Sequence, residues 1–516
     1  MLHGYFWSMF IRENKNRSGS VSIQIIAKQG GKYRLIKTIG SGRTNEEIAF
    51  LHQRARQELS RMQGTMALFA SAEDALVESY VSSLGNSQVQ VIGPELIFGR
   101  IYDRIGYGRI TRELFRHLVI TRLYHPGSKL KTIDYLQRFL GIHKKVDEIY
   151  RFLDQSAGRL KEQVEQIACE HTKTTLGGQI GIVFYDLTTL HFEAADEDDL
   201  RKTGFSKAGK HQHPQIYLGL LVGRGGLPIG YEIFEGSTFE GHTLIPVLET
   251  FSRRFGLGKP IVVADSGLLS RQNMAHLHDN GYDYILGARI KNEAKTIRQK
   301  ILEQPWDQDG KTISIRKSQG TRLIVNYSWR RARKDAHNRK RGLEKLEKRL
   351  RSGKLSKTHL NNRGYNKYLK LTGKVDIAID YEKFQADQAW DGLKGYLTNS
   401  RLRAHQVIEN YQHLWLIEKA FRISKTDLQI RPVYHRLRHR IDGHICIAFA
   451  AYSVYKELEQ VLAKEKSPMS VHRAAELTHN MYQLNIILPE SKKEKSILLN
   501  MDQEQAQLYQ IILKHY

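Results

Sequence analysis

The chain has 516 residues, 41% hydrophobic and 26% charged, enough apolar material for packed cores and too much for wholesale disorder. At about 100–200 residues per domain, roughly three or four domains are expected. Lysine and arginine number 80 against 54 aspartates and glutamates, a net +26 that points to a polyanionic partner, either nucleic acid or an anionic membrane surface.

Met1 to Phe10 is apolar but short, is followed by Arg12, Glu13 and Lys15, and lacks a signal-peptide layout. Residues 20–40 alternate apolar and polar around Gly30-Gly31, with Val21, Ile23 and Ile25 before the glycines and Tyr33 and Leu35 after, the pattern of a β-hairpin. A helix is predicted from Glu46 to Met62, capped by Thr44-Asn45. Residues 95–175 read as helices punctuated by Gly106, Gly108, Pro126-Gly127 and Gly141. Within them Ser128 to Leu153 fits a helix-turn-helix offering Lys129, Lys131, Lys144 and Lys145 to phosphates, and equally a plain helical hairpin.

At residue 180 the periodicity changes. Gly181 to Asp186 is an apolar strand ending in a carboxylate, and Ile216–Val222 and Leu227–Phe234 form a hairpin through Arg224-Gly-Gly226. A helix at Thr243–Phe255, a second strand Pro260–Asp265 ending in a carboxylate, a helix at Ser270–Asn280 and a strand at Tyr284–Ala288 follow. This order describes a mixed α/β sheet. Residues 291–395 interrupt it with short strands (312–315, 322–327, 375–381, 395–398) around a helical segment, Arg330 to Lys357, holding 13 basic and 3 acidic residues. From His405 the chain reads as helical, and its longest apolar stretch, Ile445 to Tyr455, is about half of a bilayer span. No membrane partner is therefore expected, and nucleic acid leads. The two cysteines, Cys169 and Cys446, sit in no CxxC pair, which argues against a disulfide framework or thiolate zinc site and fits a reducing cytosol.

Asp186 and Asp265 each close an apolar strand, where carboxylates of an α/β sheet converge on ligands and metals, although strand ends also carry acids as caps. Two such positions in so basic a chain favour an all-oxygen site for Mg²⁺ or Mn²⁺. On a helix from His405 to Leu428, Tyr411, Glu418 and Lys425 recur every seven residues and share one face. His211 and His213 lack an evident third ligand and suit a loop, and the acidic run Asp196–Asp199 suits solvent.

Tyr411-x2-Leu414-x3-Glu418-x6-Lys425 resembles the Y-x2-R-x3-E-x6-K signature of bacterial insertion-sequence DDE transposases. Phe184-Tyr185-Asp186 and Val263-Ala264-Asp265 resemble that family's two aspartate motifs. The gaps, 79 and 153 residues, match members with a mostly β insertion before the glutamate, and the resemblance spans residues 90 to 455. One departure is Leu414 at the signature arginine, for which Arg422, one turn beyond Glu418, is the substitute cation. The resemblance implies an α/β, RNase H-like core with Asp186, Asp265 and Glu418 as the catalytic carboxylates. They would hold Mg²⁺, with Mn²⁺ as a substitute and two ions expected. It implies Tyr411 and Lys425 on DNA phosphates, and a dimer or larger assembly on terminal inverted repeats and target DNA in the bacterial cytoplasm, at the nucleoid.

The basic insertion (Arg330, Arg331, Arg333, Lys334) fits an electrostatic grip on DNA, with Trp329 stacking on an unpaired base or simply lying at the surface, and Lys207 and Lys210 in a further basic loop. The domain reading is residues 1–70 (β-hairpin and helix), 71–178 (helical, DNA-binding), 179–290 (first part of the core), 291–398 (basic insertion), 399–460 (catalytic helix) and 461–516 (C-terminal helices). Three rivals stay open: an RNase H-like endonuclease without strand transfer, a catalytically inactive DNA-binding descendant, and a metal-free two-carboxylate glycoside hydrolase.

Overall fold

In this computed structural model the described residues are 8–516 apart from 18, 30, 63–76, 79, 83, 86–87, 157, 194–195, 205–211, 269, 319, 362–363, 373–375, 432 and 489–490. The chain divides into two compact units, residues 1–88 with 486–495, and 89–485 with 496–516.

In the first unit, strands β1 (Ser8–Lys15), β2 (Val21–Gln29) and β3 (Lys32–Gly42) form an antiparallel meander, followed by helix α1 (Asn45–Met62). The expected hairpin is β2–β3, turning where Gly31 has φ +78°; β1 is an added strand. Helix α1 starts at a reciprocal cap, in which Glu47 N–H donates to Thr44 Oγ1 (3.2 Å) and Thr44 N–H to Glu47 Oε2 (3.1 Å). Its Leu51 and Ala55 bury Ile23 of the sheet.

The second unit is built on one sheet. A short strand β4 (Val89–Val91) pairs with residues 482–484 away from it. Helices α2 (Arg100–Ile105), α3 (Glu113–Tyr124), α4 (Lys129–Leu140), α5 (Val146–Ser156) and α6 (Arg159–Thr175) precede the sheet in sequence. The sheet has eight strands in the order β10 (Thr312–Arg316), β11 (Arg322–Tyr327), β14 (Leu393–Thr398), β9 (Tyr284–Ala288), β8 (Ile261–Ala264), β5 (Ile182–His191), β6 (Gln215–Val222) and β7 (Pro228–Glu235). Only the pairs β5–β8 and β8–β9 are parallel, so the sheet is mixed, as the sequence predicts.

Alternation divides the two faces. Val183, Tyr185 and Leu187 of β5 point to one apolar core, which α7 (Leu244–Phe255), α8 (Arg271–Asp279) and α9 (Lys295–Leu302) complete. Phe184 and Leu190 point to the other. That second core continues through Tyr411, Leu414 and Ile417 into the 27-residue α14 (Arg438–Lys464), against which α3, α5 and α6 pack. No helix among the described residues is long and apolar enough to cross a membrane.

Residues 291–398, expected to be mostly β around one basic helical segment, are mixed, and that helix is present. Three of their strands (β10, β11, β14) extend the main sheet, and between them lie the 23-residue helix α10 (Trp329–Arg351), a hairpin of β12 (Leu369–Thr372) and β13 (Asp376–Ile379), and α11 (Tyr381–Ala386). Helix α10 follows from strong helix formers with Leu343 and Leu346 three apart, packed over Tyr368 and Ile379. The single helix expected from His405 to Leu428 is broken into α12 (Ala404–Gln412), α13 (Trp415–Arg422) and a π-helical turn, Ile423–Asp427. Three-residue hydrogen bonds at the joint, Leu414 N–H to Tyr411 O (3.0 Å) and Ile417 N–H to Leu414 O (3.1 Å), tighten the chain there. Lys129, expected on the helix-turn-helix surface, is instead buried, with Nζ 3.1 Å from His444 Nδ1, because it lies on the inward face of α4.

Candidate active site

Strand β5 runs on to His191, so Asp186 lies within it and not at its end. Its neighbour β8 is what stops: the last in-register pair is Tyr185 with Ala264, so Asp186 and Asp265 are the residues that follow that pair on two neighbouring parallel chain segments. Asp186 shares the face of Phe184 and Thr188, the face that α12 and α13 cover.

Asp265 is exposed and fixed from two sides. Its Oδ1 accepts the Ser266 N–H (2.6 Å) and the Tyr411 hydroxyl (3.2 Å). Arg289 donates to Ser266 O (3.2 Å), and Asn273 donates to Leu268 O (2.9 Å), so the whole 265–268 turn is held. Tyr411 is buried, with its ring 5.0 Å from that of Tyr396; burial first, and then the Asp265 charge, push its phenol well above the ordinary range. It therefore stays protonated and acts as a donor. Gly287 of β9 makes room for it, since a Cβ there would overlap Tyr411 Oη and lie 3.2 Å from its Cζ.

Glu418 is exposed in the first turn of α13, and its carboxylate makes no hydrogen bond among the described residues. Its charge and that of Asp265 both act on Tyr411 and on Lys394 of β14. Lys425, on the π-helical turn, donates to Thr188 Oγ1, two residues along β5 from Asp186 on the same face. The seven-residue spacing thus does bring Tyr411 and Lys425 to the strands that bear the aspartates, by way of a broken helix and not one straight face. Leu414 is buried in the core, while the exposed Arg422 lies near Tyr455.

Beside Asp265 and Tyr411 opens a cleft of about 790 Å³ between the sheet and α10. Six cations line it (Arg289, Lys291, Arg331, Arg339, Lys367, Lys394) against four acids (Asp265, Asp335, Asp387, Asp391). Arg339 pairs with Asp391, and Lys291 and Lys367 with Asp387, tying α10 and its neighbours to the sheet. Of the expected basic contacts Arg331 lines the cleft; Trp329, Arg330, Arg333 and Lys334 are exposed on the first turns of α10, and Lys207, Lys210 and His211 lie outside the described residues. Asp198, expected to be solvated, pairs with the buried Arg201 (2.7 Å) and caps its own turn.

Hard oxygen donors at Asp186 and Asp265 suit a divalent cation. Among the described residues, however, no three His, Cys, Asp or Glu side chains gather closely enough to hold a metal ion.

Four residues of the site escape the sequence reading: Thr188, Gly287, Arg289 and Lys394. Lys394 alone leaves a signal, because it takes the Tyr396 phase in an alternating strand whose other phase is Leu393 and Leu397.

The Transposase DDE domain family matches residues 177–454, more than half of the chain. Comparison with curated proteins gives no match. Among solved structures, a cryo-EM piggyBac transposase synaptic complex with hairpin DNA is similar over 77% of this chain and 80% of that one, with 9% identity and a TM-score of 0.38, a likeness too slight to carry an argument.

Proposed function

Since the chain belongs to the Transposase DDE domain family, we propose that it is the DNA transposase of a bacterial insertion sequence. It binds terminal inverted repeats, cuts DNA at the element's ends and joins the 3′-OH ends to target DNA. The observation that carries this reading is that Asp186 and Asp265 follow the last in-register pair of two parallel strands, with Tyr411 bonded to Asp265 at the edge of a cationic cleft.

Asp186, Asp265 and Glu418 are the carboxylates that would hold Mg²⁺, or Mn²⁺ in its place, with two ions expected. When bound, the metal supplies charge stabilisation for the attacking and leaving oxygens of an in-line phosphodiester displacement. The protein's own groups act around it. Tyr411 donates to Asp265 and sets that carboxylate's direction. Lys425, steadied by Thr188, meets a phosphate beside the scissile bond. Arg331 draws the backbone into the cleft, and Arg330, Arg333, Lys334 and Arg422 extend the grip, joined by Lys207 and Lys210. Trp329, 53% exposed, is free to stack on an unpaired base. In this reading the N-terminal unit and the helices before residue 178 read the end sequence, and two or more copies pair two ends.

Purified protein incubated with labelled DNA carrying the element's ends, with Mg²⁺ or EDTA, beside Asp186→Ala, Asp265→Ala and Glu418→Ala, tests the reading. The expected result is metal-dependent end cleavage with joined products, lost in all three variants. Cleavage without joining replaces the transposase with a nuclease. Salt-sensitive binding without cleavage in either metal makes the protein an inactive descendant.

A further inference from the structure

Lys394 stands apart from the other cations of the cleft. Arg339, Lys291 and Lys367 are paired with carboxylates, Arg331 lies 3.4 Å from Asp335, and Arg289 donates to Ser266 O. Lys394 is partly buried, yet among the described residues its ammonium makes no ion pair and no hydrogen bond. Its Nζ sits 4.4 Å from the centroid of the Tyr411 ring and 5.7 Å from that of Tyr396. A cation–π seat holds an ammonium without neutralising it. A lysine drawn out of water normally has a carboxylate partner.

What surrounds it explains the arrangement. Lys394 lines one cleft with Arg331 and Asp265, and the charges of Asp265 and Glu418 attract its ammonium while that of Arg331 repels it. Burial and Arg331 together pull the lysine below its ordinary range. Two like charges, from β14 and α10, thus line one cleft with Asp265. Asp335 offsets part of the Arg331 charge, and an anion between the two cations would relieve what remains of their repulsion.

We propose that Lys394 and Arg331 grip a single backbone phosphate, and that Lys394, seated on Tyr411, thereby sets where the DNA strand lies relative to Asp265. The proposal rests on the DNA-cleaving reading of the same site and adds to it a phosphate-binding residue from β14. Tyr411 then has two faces of use, its hydroxyl orienting Asp265 and its ring orienting the cation that positions substrate.

The test pairs Lys394→Met and Lys394→Arg of the full chain with end-bearing duplexes in which each phosphate near the cleavage position is replaced, one at a time, by an uncharged methylphosphonate. Lys394→Met is expected to lower end cleavage at subsaturating DNA at least tenfold, mainly through KM, with the unfolding midpoint unchanged and Lys394→Arg restoring most of the rate. One methylphosphonate position is expected to cost the wild type more than Lys394→Met does, and to cost Lys394→Met clearly less than it costs the wild type, the remainder being the Arg331 contact. Full activity in Lys394→Met, or losses that add at every position, overturns the proposal. The same cycle read as equilibrium binding without metal decides the grip even where the wild type does not cut, so failure of the grip and failure of the cleavage reading are told apart.

Discussion

Gly287→Ala is a one-carbon change whose effect can be worked out from the site. The glycine lies on β9, where a Cβ would overlap Tyr411 Oη and come within 3.2 Å of its Cζ and 3.3 Å of Ser266 N. Either the methyl is forced in, an overpacking that costs about 1–3 kcal/mol, or Tyr411 swings away. The second route removes its hydrogen bond to the Asp265 carboxylate, worth about 1.5–3 kcal/mol. Both routes put the loss near 2 kcal/mol, and both run through the hydroxyl. In a Tyr411→Phe background that oxygen is absent, and the remaining 3.2 and 3.3 Å contacts relax by a few tenths of an ångström. The alanine should then cost about 1 kcal/mol or less, leaving a coupling of about 1–2 kcal/mol between the two positions. Urea midpoints and slopes of the four proteins measure it. Equal losses from Gly287→Ala in both backgrounds would show that Tyr411 is not what the glycine accommodates.

Two further outcomes are expected. Leu414→Arg, which supplies the arginine of the Y-x2-R-x3-E-x6-K pattern that residues 411–425 resemble, places a charge where the leucine is 8% exposed and should cost about 3–5 kcal/mol while leaving end cleavage no faster; a variant as stable as the wild type that cuts faster contradicts the burial argument. Burial, and then the charges of Lys129, Arg440 and Arg122, hold His435 down to about 4 from 6.5, with Asp154 opposing them. Between those values the unfolded chain binds a proton that the folded one does not, so stability rises as pH climbs from about 4 to 6.5 and is lost as pH falls through that window. His435→Gln should flatten that slope of midpoint against pH, and an unchanged slope rules the histidine out as its source.

The strands were readable because alternation and apolar runs are local properties. Tyr284–Ala288 and Arg322–Tyr327 lie where the periodicity puts them, and the strands that lead to Asp186 and Asp265 are paired neighbours. Less readable was where a strand stops pairing. The apolar run into Asp186 looks like a strand end, yet β5 continues because β6 offers partners as far as Gln215. The joint at His413-Leu414 was hidden for the same reason, since nothing in the local sequence forbids a straight helix and the break answers to the sheet beneath. Lys129 shows the limit of charge as a guide, because a lysine on an inward face is a buried residue whatever its sign.

The segment between β11 and β14 leaves and re-enters the sheet at one point: Ser328 N–H donates to Gly392 O at 3.0 Å, and the two strands are hydrogen-bonded neighbours. Gly392, at φ +82° with the Ala332 methyl and Ser328 O where a Cβ would go, is the clasp. Residues 329–391 are therefore a graft on a β-hairpin, and chain closure charges little for the graft's length, about 0.6 kcal/mol per doubling. A lineage can lengthen, shorten or exchange that graft, and with it the wall of the cleft, while the strands bearing Asp265 and Lys394 keep their register.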